Sequence, residues 1–508
     1  MNTTRIKTHF SHWRAWEFNP IVIKELRQAV RSWAVTAMLL LLLLVLLVAA
    51  IAVLVSQSLG EDANEQLGGE LFQTFLIILA GAGILFIPLY LGLRVAAERE
   101  VNNPDMLYIS TLSPGRIIRG KFLSGAYVTL LFFSVCLPFM ALTNLLRGVD
   151  LPTVFFLLVF LFLVVCAVNL AAIFIACLPI SRLFKIVLSL AGFLFLFYLL
   201  GWVVMAAFEM MQSGVGAMLL HPELWDSLLF GLVISFAAAG LFYVLSVALI
   251  SPPSANRALA PRLYLTVLCL AGEALVGWRA LDGGRAELLF AWVYPITAVL
   301  IAALLVSVSN HDQLSLRVRR TIPRSRPKRM LAFCFYNGAA GGVIWAFVLT
   351  VLAFLETWGF FAWQSPGSGT RRLSNPADDF ATFGGWYLPL MLYFFAYALF
   401  ARWLHRRFLP KTAPKMAGIM TVFLTALTAL GPNIVLFFLN QLSWKSADHL
   451  QLGNAFNLMG QHDSDQQMIH LWFALGLLLI AFVLNAKWFF NQWNYFRPPA
   501  EKVPPSLN

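Results

Sequence analysis

The residues able to do chemistry in this sequence are few, and most are charges set beside apolar runs. Glu98-Arg99-Glu100 interleaves both signs at the end of one such run, and Asp105, Leu107 and Tyr108 follow within the next turns of chain. Glu25, Arg27 and Arg31 punctuate the stretch 19–33, NPIVIKELRQAVRSW. Charges in this pattern suit ion pairing and the docking of another surface, because each offers a partner one sign and a directed hydrogen bond. Glu273 is the one carboxylate well inside an apolar run, and an acid in the membrane is a functional candidate in its own right. His449, His462, Asp463 and Asp465 share one polar loop, but 449 and 462 lack the spacing of metal ligands, so a solvated loop is read and no metal is assigned. Gly115 to Phe122, GRIIRGKF, matches G-x-x-x-x-G-K but has Phe122 where a Ser or Thr should bind magnesium. No strands surround it to make a nucleotide-binding sheet, so no ATP site and no cofactor are read. No Ser/His/Asp set or carboxylate pair is gathered at one interface, and no catalytic residue is assigned.

The elements that must position these groups are apolar. Of 508 residues 60% are hydrophobic and only 12% charged, about half the charge of a soluble domain. The mean hydropathy is +0.77. The apolar residues come in runs of about twenty, the length of a membrane-crossing helix. We read an all-α, polytopic helical membrane protein of about twelve spans, at 33–57, 71–93, 122–146, 151–178, 186–207, 228–250, 263–280, 288–309, 331–356, 386–403, 416–440 and 468–488. Met38 to Val55 has no polar side chain, and it reads as an uncleaved span. Residues 1–32 form a cytoplasmic amphipathic connecting helix, 33–250 a first six-helix transmembrane domain and 251–508 a second six-helix region. The formal charge is +12, from 36 basic and 24 acidic residues. Six of the basic residues (Arg147, Arg279, Arg285, Arg371, Arg372 and Lys445) fall in one set of alternate loops, and the other thirty fall in the opposite set. The positive-inside rule then places both termini in the cytoplasm and makes most of the basic charge a topology signal rather than a sign of nucleic acid. Cys136, Cys166, Cys177, Cys269 and Cys334 lie in apolar runs and read as packing groups, with no disulfide framework or zinc site.

Two connecting stretches look built. In 19–33, Asn19 suits an N-cap and Pro20 the first helical position. Val22, Leu26 and Val30, beside Ile23 and Trp33, give an apolar face, while Lys24, Glu25, Arg27, Gln28 and Arg31 take the other, as in a helix lying along the inner leaflet. In 94–121, Asn102-Asn103-Pro104 breaks the preceding helix, Asn103 can cap a new short one, and Ser113-Pro114-Gly115 ends it. Inside the spans, Asn169 reads as helix–helix glue and Gly338, Gly341 and Gly342 as sites of close packing.

The order of these motifs resembles the permease subunit of ABC transporters of the type-2, exporter class: NPIVIKELRQ, two spans, EREVNNPDMLYISTLSPGRIIRGK, two more spans. The resemblance covers about residues 16–250. It implies a bacterial plasma (inner) membrane protein with no ATPase of its own, docked on a separate ATP-binding cassette subunit. It also implies that Glu98, Arg99, Glu100, Asp105, Leu107 and Tyr108 form the ATPase-coupling element, and that the helix of Glu25, Arg27 and Arg31 connects it to the spans. A permease of this class has six spans and pairs with itself or a second permease; this chain adds six more. Its loop 310–330 is the topological counterpart of 94–121, yet carries seven Lys/Arg and only Asp312, with Pro323 and Pro327 opposing a long helix. It reads as a basic strip against anionic headgroups, with an ATPase contact second. The other function classes compatible with twelve spans are an ATP-independent secondary transporter or channel and a polytopic membrane enzyme.

Overall fold

A computed structural model describes residues 20–59, 67–101, 113–146, 149–179, 182–213, 222–283, 286–363, 376–438, 451–457 and 464–499. In lipid every backbone N–H and C=O must find a partner within its own segment, and the long apolar runs meet that demand as helices. Twelve helices are long and apolar enough to cross a membrane, and no strand occurs among the described residues. The protein is a multi-pass, all-α membrane protein. It divides into two compact units, Met1–Ser251 and Pro252–Asn508.

In the first unit the leading helix Pro20–Val30 precedes span 1, Trp33–Leu59. Span 2 runs from Leu67–Gly81 through a π turn, Ala82–Phe86, into Ile87–Val101. Span 3 is Pro114–Leu145, span 4 Leu151–Cys177, span 5 Arg182–Ser213 and span 6 Pro222–Ile250. The core is made by Phe72, Phe75, Leu79, Ile84, Phe132, Leu161 and Val165. A smaller apolar cluster of Leu91, Val95, Ile117, Ile118, Ile173, Cys177 and Ile250 closes the unit near the leading helix. Span 3 begins eight residues before its apolar run. Ser113, expected to help end a short helix, sits extended at φ −68, ψ 144 and leads into Pro114 in the first turn of the long one. Proline at the first position starts helices because its missing N–H is not needed there.

In the second unit span 7 is Leu259–Gly283, span 8 Ala286–Val308, span 9 Ala339–Trp363, span 10 Pro376–Phe408, span 11 Lys415–Phe438 and span 12 Ser464–Tyr495. The basic loop before span 9 holds two short helices, Leu316–Arg320 and Arg326–Phe335. Span 9 therefore starts later than the expected 331. Gly338, at φ 145, leaves the helical region and separates the two helices, a conformation open to glycine for want of a Cβ. Arg262 fixes the break: its guanidinium donates to the carbonyls of Cys334 (2.8 Å), Tyr336 (2.7 Å) and Gly338 (3.2 Å).

The two units share one packing pattern. In the first, span 1 packs on spans 2 and 3, span 2 on 3, 4 and 5, span 3 on 4 and 6, and span 4 on 5 and 6. In the second, span 7 packs on 8 and 9, span 8 on 9, 10 and 11, span 9 on 10 and 12, and span 10 on 11 and 12. Each of these pairs has its counterpart six spans away.

Candidate functional site

The leading helix ends at Val30, with Arg31 and Ser32 still bonded back to the Arg27 and Ala29 carbonyls. Its buried side is Val22, Glu25 and Ala29, three and four residues apart, packed on span 3. This corrects the face expected from the sequence. Glu25 points into the protein, 3% exposed, whereas Ile23, Val30 and Trp33 are exposed together with Lys24, Arg27 and Arg31. The reason is that two other elements, spans 2 and 3, supply the charge that receives it.

Arg94 from span 2 places its guanidinium 3.3 Å from Glu25 Oε2, and Lys121 from span 3 places Nζ 3.1 Å from Glu25 Oε1. Lys121 Nζ also donates to Glu98 Oε2, and Lys24 stands 3.7 Å from the other oxygen of Glu98. Arg94 further donates to Tyr90 Oη at 2.9 Å and to Gln28 Oε1. The four inner groups, Glu25, Glu98, Arg94 and Lys121, cancel in charge. A buried charge left unpaired costs several kcal/mol, so each member of such a set holds the others in place. The result is an ionic clasp that joins the leading helix to one end of span 2 and of span 3. A hollow of water size opens beside it, bounded in part by Tyr90, Ser124 and Gly125.

Of the residues singled out from the sequence, the structure brings Glu25 and Glu98 together through a shared Lys121. Arg27 and Arg31 lie on the exposed side. Arg99 and Glu100 continue the helix Ile87–Val101, their side chains outside the described residues. Asp105, Leu107 and Tyr108 also lie outside them, with the short helix expected there. Sequence reasoning did not single out Arg94 and Lys121 as the partners. Their signal was present: Arg94 and Glu98 are four residues apart on one helix face, and Lys121 is the last cation before an apolar run. The GRIIRGK stretch is helical from Pro114 on, and its lysine is spent on two carboxylates rather than a phosphate.

Glu273 is fully buried in span 7. Thr357 Oγ1 of span 9 donates to its Oε1, while Oε2 has no hydrogen-bond partner among the described residues. Trp292 Nε1 and Trp386 Nε1 are buried in the same unit and are also without acceptors there. Asn169 acts as helix glue: its Nδ2 donates to Thr129 Oγ1 at 3.2 Å, tying span 4 to span 3. Gly341 and Gly342 are packed tightly, against the Phe333 carbonyl and against Arg262 and Ser307. The five cysteines are free, and among the described residues no three His, Cys, Asp or Glu gather as metal ligands. His449, His462 and Asp463 lie outside those residues.

No family model, curated protein or solved structure matches the chain.

Proposed function

We propose that this chain is the membrane-spanning permease subunit of an ATP-binding cassette transporter. ATP hydrolysis on a separate ATPase subunit would drive translocation, with export as the direction. One observation carries the reading: the buried clasp of Glu25, Arg94, Glu98 and Lys121 fastens the leading helix to the ends of spans 2 and 3. A force applied to the connection after Val101 or to the leading helix reaches two spans at once through that clasp. The same segments, NPIVIKELRQ and EREVNNPDMLYISTLSPGRIIRGK, are those that resemble the coupling parts of type-2 permeases. The skew of basic residues supports a cytoplasmic position for the clasp, on the side where ATP is, and a bacterial plasma membrane is what the resemblance implies. The chain itself then has no catalytic residue, and it works with a partner ATPase, as a homodimer or beside a second permease.

The test is purification of the full chain from cells co-expressing candidate cassette ATPases. An ATPase should co-purify, and Glu98→Gln or Asp105→Asn should uncouple hydrolysis from transport. If no ATPase binds and both variants transport normally, the reading fails. A secondary transporter is the second reading, and Glu273 favours it: a carboxyl buried in the membrane, with one oxygen unpartnered among the described residues, is the group an ion-coupled carrier would use. Transport that persists without ATP and is lost in Glu273→Gln would select it.

A further inference from the structure

In the second unit the stretch from Asn310 to Gly338 holds the place that the connection after Val101 holds in the first, between the unit's second and third spans. It is firmly built. Ser315 caps the helix Leu316–Arg320 and donates to the Ser254 carbonyl at 3.1 Å. Tyr336 Oη donates to the Thr321 carbonyl at 2.8 Å. Asn337 N donates to Asn256 Oδ1 (3.1 Å), and Asn337 Oδ1 accepts from Ala258 N (2.9 Å). Arg319 and Arg329 lie over the rings of Tyr495 (4.7 Å) and Trp493 (5.2 Å). Asp312, the one acid of the stretch, is taken by Arg402 at 2.6 Å and by Trp488 Nε1 at 3.0 Å.

These bonds leave a surplus. Arg317, Arg320, Arg326 and Lys328 are exposed and have no partner among the described residues. Beside them Leu316, Met330 and Leu331 are 66%, 69% and 67% exposed. The helix Arg326–Phe335 is joined to span 9 by only three residues, so its surface sits at the membrane boundary. Cations and large apolar side chains are satisfied together in one setting, where phosphates meet acyl chains. An acidic protein face would answer the charges without calling for the apolar groups at that depth.

We propose that Arg317, Arg320, Arg326 and Lys328 form a binding surface for the phosphate headgroups of anionic lipids, with Leu316, Met330 and Leu331 seated among the acyl chains. The surface needs no ATPase and stands apart from the permease reading. The test is native mass spectrometry of the full chain in dodecyl maltoside with added phosphatidylglycerol or phosphatidylcholine. The wild type retains phosphatidylglycerol in preference. The variant R317Q/R320Q/R326Q/K328Q loses that retention by at least about tenfold, while R317K/R320K/R326K keeps it. If the fourfold variant does not fold, R317Q/R320Q and K328Q are measured separately, and each lowers retention in part. Equal retention of phosphatidylglycerol by a folded variant, or no preference in the wild type, overturns the proposal. So does a variant that keeps the lipid but loses a co-expressed ATPase, since that assigns the strip to a protein partner.

Discussion

Lys121 is the residue on which the clasp turns, because both carboxylates depend on it. Lys121→Met leaves Glu98 with only the exposed Lys24 and Glu25 with only Arg94, so we expect a loss of about 3–5 kcal/mol. Unfolding of the purified chain in detergent measures that loss, and trypsin should cut faster at Lys24 and Arg27 as the leading helix loosens. The fourfold variant E25Q/R94M/E98Q/K121M removes the four charges together and should recover much of the stability. Glu273 makes a second case. Thr357→Val deletes the hydroxyl that donates to Glu273 and leaves the buried carboxyl with no side-chain donor among the described residues, a cost of about 1–3 kcal/mol. Glu273→Gln can still accept from Thr357 and should melt close to the wild type.

At the scale of the element, the break between Arg326–Phe335 and span 9 depends on space as well as on bonds. A Cβ at Gly341 would meet the Phe333 carbonyl, which is backbone and cannot swing away. Gly341→Ala should therefore destabilise the chain by about 1–3 kcal/mol. Gly476, in span 12, meets nothing within 4 Å, and Gly476→Ala should be neutral or stabilising by up to about 1 kcal/mol. Melting curves of the two variants decide the contrast. The spans themselves were legible because length and apolarity alone fix them. Their ends were less so: hydropathy stops where apolar residues stop, but spans 3 and 9 are set by Ser113-Pro114 and by Gly338, which are backbone effects. The side of Glu25 was not legible, because a helical wheel sorts residues by polarity and has no knowledge of Arg94 and Lys121 on distant segments. Asn169 was readable because a lone amide in an apolar helix has few other uses.

For the whole molecule, the shared neighbour pattern of the two units describes one six-span arrangement used twice with different chemistry at corresponding connections. The first unit joins four charges in a neutral internal clasp at the ends of spans 2 and 3, and the second leaves cations exposed between its second and third spans. Alternation of the spans predicts that single cysteines placed at 105 and 320 in a cysteine-free chain are labelled from one side of the membrane, and those at 63 and 370 from the other. Impermeant maleimides on intact cells and on inverted vesicles read this directly, and labelling of 105 and 320 from opposite sides would rule out the twelve-span topology. The clasp also has an order of assembly written into it. A growing chain offers Glu25 first, then Arg94 and Glu98 at the end of span 2, and Lys121 only as span 3 begins. Glu25 and Arg94 can meet while the ribosome is still making the rest, whereas Glu98 has only the exposed Lys24 beside it until Lys121 arrives. The full clasp therefore closes only when a third helix has joined the first two, so its four charges are balanced late in synthesis.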